Sequence, residues 1–281
     1  MNRSVILIGF VLMISMLLAA ETKTDWQVYE LRGKVRSVVS IEGAMSFNSQ
    51  GFIETTILGN PEYPDGSGVY TYDSKGRLIL RLENNDEGEE IYRCTYTYND
   101  RGLLEKKLIK DTIGSDYEEY TYNPAGQITW SKIKLTDGSL LDATEYIYSK
   151  SCKLIRENSY GEDMAIWQFK VTDYDNKDKL LEMREYTMPD SLNPTVIRKY
   201  DSHGLEIEHT YFRKDRSSTT WKSAYDEHGN MTSRTTIPEA SKYDAPMFIR
   251  YEYDKKGNWT KWDKYQNGNL LESRTRSISY Y

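Results

Sequence analysis

A five-residue pattern recurs through the chain and constrains it more than any other feature: an aromatic, then Asp, Asn or a similar residue, two polar residues and Gly. It reads FNSQG at Phe47, YDSKG at Tyr72, YNDRG at Tyr98 and YNPAG at Tyr122. It continues as YSKSC at Tyr148, YDNKD at Tyr174, YDSHG at Tyr200, YDEHG at Tyr225 and YDKKG at Tyr253. These nine copies are separated by 25, 26, 24, 26, 26, 26, 25 and 28 residues. A period this steady over 281 residues specifies one repeat architecture and excludes two unrelated domains.

Each part of the unit has a physical reason. Asp or Asn favours the first position of a type I turn, and the closing Gly tolerates the left-handed backbone that follows. Flanked by strands, this is a hairpin with a Gly bulge. Two residues after the Gly position lie Ile53, Leu78, Leu104, Ile128, Leu154, Leu180, Glu206, Met231 and Trp259. Eight of these nine are apolar, so the position faces a packed surface opposite the turn tyrosine. The residue two before the turn aromatic is often Tyr as well (Tyr70, Tyr96, Tyr120, Tyr146, Tyr251), which puts both rings on one sheet face.

Between tips the chain returns at Asn85–Gly88, Ile113–Asp116, Asp137-Gly138, Gly161-Glu162, Pro189–Pro194, Lys214–Arg216, Pro238–Pro246 and Asn267-Gly268. Each unit therefore supplies two strands of about 6–10 residues. The expected fold is all-β, an antiparallel meander of about nine hairpin repeats of ~25 residues and roughly eighteen strands, strongly twisted and curled towards an open shell or barrel. The 24 tyrosines suit such half-buried sheet surfaces.

The units YTYDSKGRL, YTYNDRGLL and YEYDKKGNW resemble YD repeats of bacterial Rhs proteins and their animal teneurin relatives, over nearly all of residues 47–265. The leading segment YELRGKVRSVVSIEG resembles the opening strand pair of short exported YD-like proteins. The resemblance implies a shell of β-hairpins that either encloses a toxin domain or displays a surface for sugars or partners. The chain departs from the long members in length and in having no payload after its repeats. Cys152 and Asp178 replace Gly, and Glu206 replaces the aliphatic, so the middle units are the least regular.

Residues 1–20 read as a secretory signal peptide, with Arg3, an apolar run from Val5 to Leu18 and Ala19-Ala20 before Glu21. Residues 21–281 form a single repeat domain, exported to the periplasm, the cell surface or the medium, with membrane association only through the transient signal. The net charge of -6 disfavours nucleic acid, whose binding rests on Lys and Arg. An outer-membrane barrel has a similar strand count but needs an unbroken apolar outer band. Strands such as LEKKLIK and SKIKL put Lys on both faces, and the mean hydropathy is -0.73.

No catalytic constellation stands apart from the repeat, and no cofactor or metal is implied. His203 and His228 sit at successive tips, where turn residues are normally hydrated. Asp173, Asp175, Asp178 and Glu182 lack the spacing of a calcium loop. Cys94 and Cys152 are far apart in a plain meander and are expected as isolated thiols. Trp259, Trp130 and Trp221 share the parity of the packed tyrosines. Trp262 and Trp167 have the opposite parity and are the candidate exposed ligand-binding residues, able to stack on sugar rings. The expected function is an exported, non-enzymatic repeat protein binding carbohydrate or a cell-surface partner. The alternative is a structural or assembly component of Rhs-type toxin delivery or immunity.

Overall fold

The computed structural model describes residues 23–59, 61, 65–112, 114–238 and 244–281. The signal-peptide reading of residues 1–20 lies outside them. The described chain holds one short helix, α1 (Asp25–Val28), and twenty strands running from β1 (Val35–Ser40) to β20 (Asn269–Tyr280).

Each tip folds as its residues dictate. At the second, the Asp73 amide donates to the Arg77 carbonyl (2.9 Å) and the Gly76 amide to the Asp73 carbonyl (3.0 Å). The Asp73 carboxylate accepts the amides of Lys75 and Arg77, both at 2.9 Å. A short acceptor at the first turn position thus satisfies amides that the turn removes from the ladder. Gly76 has φ +76°, a conformation that costs a side-chain-bearing residue roughly 1–2 kcal/mol. Cys152 and Asp178 nevertheless adopt φ 62° and 61°, so the middle units keep the turn geometry at the expense of strain.

Every strand pairs antiparallel with its sequence neighbour, and β1 pairs with β20, which closes the sheet into a barrel. This corrects two expectations. The units number ten, not nine, and the sheet is closed, not open. The tenth turn is split between the chain ends. Gly33, Lys34 and Val35 supply the second half of the pattern, as Gly76, Arg77 and Leu78 do in the second unit, while Tyr280 and Tyr281 supply the first half. The Tyr281 amide donates to the Lys34 carbonyl (3.0 Å), repeating the Asp73–Arg77 bond, and Val35 pairs with Tyr280 as Leu78 pairs with Tyr72. Gly33 has the matching φ of 82°. Asn258, 2% exposed, clamps the seam. Its side chain accepts the Arg32 amide (2.7 Å) and donates to the Arg32 carbonyl and the Tyr280 hydroxyl (both 2.8 Å).

The register also carries a bulge just past each tip. In the second unit Tyr72 pairs with Leu78 and Thr71 with Leu80, leaving Ile79 unpaired. Beyond it the alternation of faces reverses. One face carries the turn tyrosines and their apolar partners and is the more shielded near the tips, as on β20, where Tyr280, Ile278, Arg276 and Arg274 are half-buried between exposed Ser and Thr. Inward-pointing side chains crowd in a closed cylinder, so this face is the lumen. Outward, Lys106 and Lys134 flank Glu119 (3.7 and 2.8 Å), and Lys199 and Lys222 flank Glu208 (2.8 and 3.7 Å). The best-packed core lies where α1 rests on the lumen face. Trp26 and Tyr29 cover Val35, Val38, Phe47 and Ile53, and the Trp26 indole donates to the Val35 carbonyl (2.7 Å). Gly51 is required there, because a Cβ would lie 2.5 Å from the Trp26 ring.

Candidate ligand site in the barrel lumen

At the tip end the lumen forms a cavity of about 440 Å³ between α1 and the unit that begins at Leu154. Its wall follows from the repeat: the turn tyrosines Tyr72, Tyr98, Tyr122 and Tyr148 alternate with their apolar partners. The tyrosine hydroxyls are not free. Tyr98 donates to the carbonyl of Leu78 (2.8 Å), Tyr122 to that of Leu104 (2.6 Å), Tyr148 to that of Ile128 (2.9 Å) and Tyr174 to that of Leu154 (3.0 Å). Each phenol therefore ties its hairpin to the one before. The reason is the bulge. The ladder between those hairpins begins only at Leu80↔Thr95, so the Leu78 carbonyl finds a phenol in place of an amide.

Fixing the hydroxyls leaves the rings and aliphatic side chains to form the wall. Burial pushes Tyr122 and Tyr148 up to about 12, so both remain donors across the physiological range. Polar groups are confined to a few places. Asp25 on α1 accepts the Ile53 amide (2.6 Å) and the Tyr72 hydroxyl (3.2 Å), replacing the carbonyl that Tyr98, Tyr122, Tyr148 and Tyr174 reach. Burial raises its pKa despite both bonds. Gln127, 8% exposed, donates to the Cys152 carbonyl (2.8 Å). Such a site offers an apolar, aromatic surface with a few oriented polar groups, the usual character of a small-molecule pocket.

The two tryptophans singled out from the sequence are not brought together. Trp262 does not face outward. It pairs with Tyr251 on the lumen face, with the Arg274 guanidinium 5.3 Å from its ring centroid. The bulge after Trp259 reverses the parity that placed it outside. The same reversal moves Trp130 the other way, opposite Thr121 on the outer face, 5.4 Å from Tyr160. Trp259 and Trp221 face the lumen as expected. Trp167 is 47% exposed at the rim opposite the tips, its indole donating to Asp142. Both cysteines are free thiols, Cys94 buried and Cys152 exposed. Among the described residues no three His, Cys, Asp or Glu side chains gather as for a metal ion. The residues that the sequence reading missed as a site are the turn tyrosines themselves, which it assigned to packing alone.

Fold and site together define a closed antiparallel barrel of tandem hairpins with a tyrosine-lined lumen. No family model matches the chain, and no curated protein does. Among solved structures it is similar to the Photorhabdus luminescens Tc holotoxin pore, at 15% identity and a TM-score of 0.43 over 82% of this chain and 14% of that one. The TcdB2-TccC3 structure without its hypervariable C-terminal region gives 15% identity and a TM-score of 0.44, over 82% and 15%. A porin-like protein from Bacteroides uniformis gives 15% identity and a TM-score of 0.40, over 89% and 98%. The chain thus spans only 14–15% of these first two chains.

Proposed function

We propose that this is an exported, non-enzymatic binding protein that takes a carbohydrate, free or on a cell surface, into the tip end of its lumen. The observation that carries the reading is the tyrosine-lined cavity, whose hydroxyls are already bonded to backbone carbonyls. Rings held by their own hydroxyls keep a fixed surface for the apolar side of a sugar ring. Asp25 and Arg77 at the margin are then the groups for its hydroxyls. The lysine and glutamate ladders on the outer face support a water-exposed wall, since charged side chains there are costly in hydrocarbon. We also read the units as YD repeats, on the Asp-and-Gly turn followed by an apolar residue opposite the tyrosine.

A glycan array probed with the chain lacking residues 1–20 tests the reading. Leu104→Trp, which fills the cavity, is expected to abolish the signal, whereas Trp167→Ala at the far rim leaves it unchanged. No glycan signal, or a signal indifferent to Leu104→Trp, contradicts it.

A further inference from the structure

Away from the tip cavity the lumen face carries charged side chains, several of them in ion pairs. Arg81 meets Glu83, Lys107 meets Glu118 (2.9 Å), Arg198 meets Glu185 (2.7 Å) and Glu206 (3.4 Å), and Arg274 lies between Glu42 and Glu272. Arg234, also on this face, is exposed and needs no partner. Arg276 is half-buried on β20, and among the described residues no carboxylate lies in ion-pair range of it. Its Nε donates to the Trp259 carbonyl (2.7 Å), and its guanidinium carbon lies 3.6 Å from the centroid of the Trp259 ring. Asp254, the acid whose charge acts on Arg276, is engaged elsewhere, by the Tyr280 hydroxyl and by the amides of Lys256 (2.8 Å) and Asn258 (3.0 Å). Desolvation without a compensating anion lowers the pKa of Arg276 to about 10, although Asp254 opposes the shift.

An arginine held by its Nε and stacked on a tryptophan presents its two terminal nitrogens as a fixed fork. That fork matches the two oxygens of a carboxylate, and a guanidinium is the side chain suited to such bidentate pairing. We propose that Arg276 and Trp259 form a lumenal subsite for a carboxylate-bearing ring compound, the Arg276 terminal nitrogens pairing with the carboxylate. One uncompensated positive charge calls for a monoanion. The neighbouring lumen-facing rings of Trp259 and Trp262 favour a ligand that carries its carboxylate on a ring. A sugar acid and an aromatic acid share that chemistry. The subsite does not depend on the tip cavity being the place where a neutral sugar binds.

The test is a tryptophan-fluorescence titration of the chain from residue 21 onward with D-glucuronate, benzoate and D-glucose, repeated on Arg276→Gln and Arg234→Gln. The expected result is a saturable response to glucuronate or benzoate in the wild type. Whichever of the two responds names the source of the carboxylate. Arg276→Gln is expected to weaken that response by roughly tenfold or more, as loss of a charge-assisted pair requires, and Arg234→Gln to leave it unchanged. Absence of a saturable response to both acids in the wild type overturns the proposal even if Arg276→Gln does not fold. Glucose binding as well as glucuronate overturns it too, while leaving the carbohydrate reading intact. So does an Arg276→Gln variant that binds like the wild type.

Discussion

A tyrosine at the turn position does two jobs that a phenylalanine does only in part. Its ring packs against the apolar residue across the hairpin, and at Tyr98, Tyr122, Tyr148, Tyr174 and Tyr225 its hydroxyl takes the carbonyl freed by the neighbouring bulge. The second job is testable at Tyr122, whose hydroxyl lies 2.6 Å from the Leu104 carbonyl. Tyr122→Phe is expected to lower stability by about 1 kcal/mol in urea denaturation, and Tyr122→Ala by about 3–5 kcal/mol because the ring leaves a void. No loss of stability in Tyr122→Phe contradicts the tie between hairpins. In the sequence only the packing role was legible. Tyr and Phe are both strong strand formers, and nothing local says that a carbonyl one unit back lacks an amide. The turn Asp, by contrast, could be read directly, because its partners lie two and four residues away.

The acids of this chain pull in opposite directions. Asp25 has its pKa raised by burial, so its ionisation works against folding. The stability it lends is present below its unfolded pKa and is lost as pH rises through the higher folded value. Asp25→Asn is therefore expected to raise the melting temperature at neutral pH and to change it little in strong acid. The turn acids Asp73 and Asp175 are lowered, chiefly by the amides of Arg77 and Lys179. Their contribution is present above about pH 4, the unfolded carboxylate range, and is lost as pH falls through the lower folded values. Thermal scans against pH on Asp25→Asn and Asp73→Ala separate the two. A melting temperature at neutral pH that falls in Asp25→Asn runs against this assignment.

Among elements, the bulged hairpin explains both the success and the failure of reading faces from alternation. Residues up to the apolar position were placed correctly, including Trp259 and the turn tyrosines. Residues beyond it, Trp130 and Trp262, were assigned to the wrong faces because one unpaired residue reverses the parity, and a period-two count has no marker for it. The split tenth unit was hidden for a different reason. Its halves, around Gly33 and Tyr280, stand at opposite ends of the chain, so no window contains both. Asn258 holds those halves together. Asn258→Ala strips the Arg32 amide and carbonyl of their partners in a buried place and is expected to cost about 2–3 kcal/mol, measured by denaturant unfolding. Asn84, exchanged for Ala as an outward-facing control in a strand, is expected to cost far less. Similar losses at both sites would show that the seam is not clamped there.

For the whole molecule, closure turns a row of hairpins into a container. An open meander of the same units leaves two unpaired edges, each able to recruit another chain, whereas pairing β1 with β20 removes both edges and gives the tyrosine face an inside. All binding proposed here depends on that inside. Twist and repeat number made a curled sheet legible from the sequence. Closure itself depends on whether the two ends meet in register after ten units, a cumulative property that no single repeat encodes. Ser37 and Ser279 face each other across the seam with their hydroxyl oxygens 2.7 Å apart. Cysteines placed at both positions in a Cys152→Ser background, oxidised and digested, should yield a disulfide joining the two terminal peptides within one monomer, as read by mass spectrometry. Free thiols at both positions, or a link found only between molecules, would contradict the closed barrel.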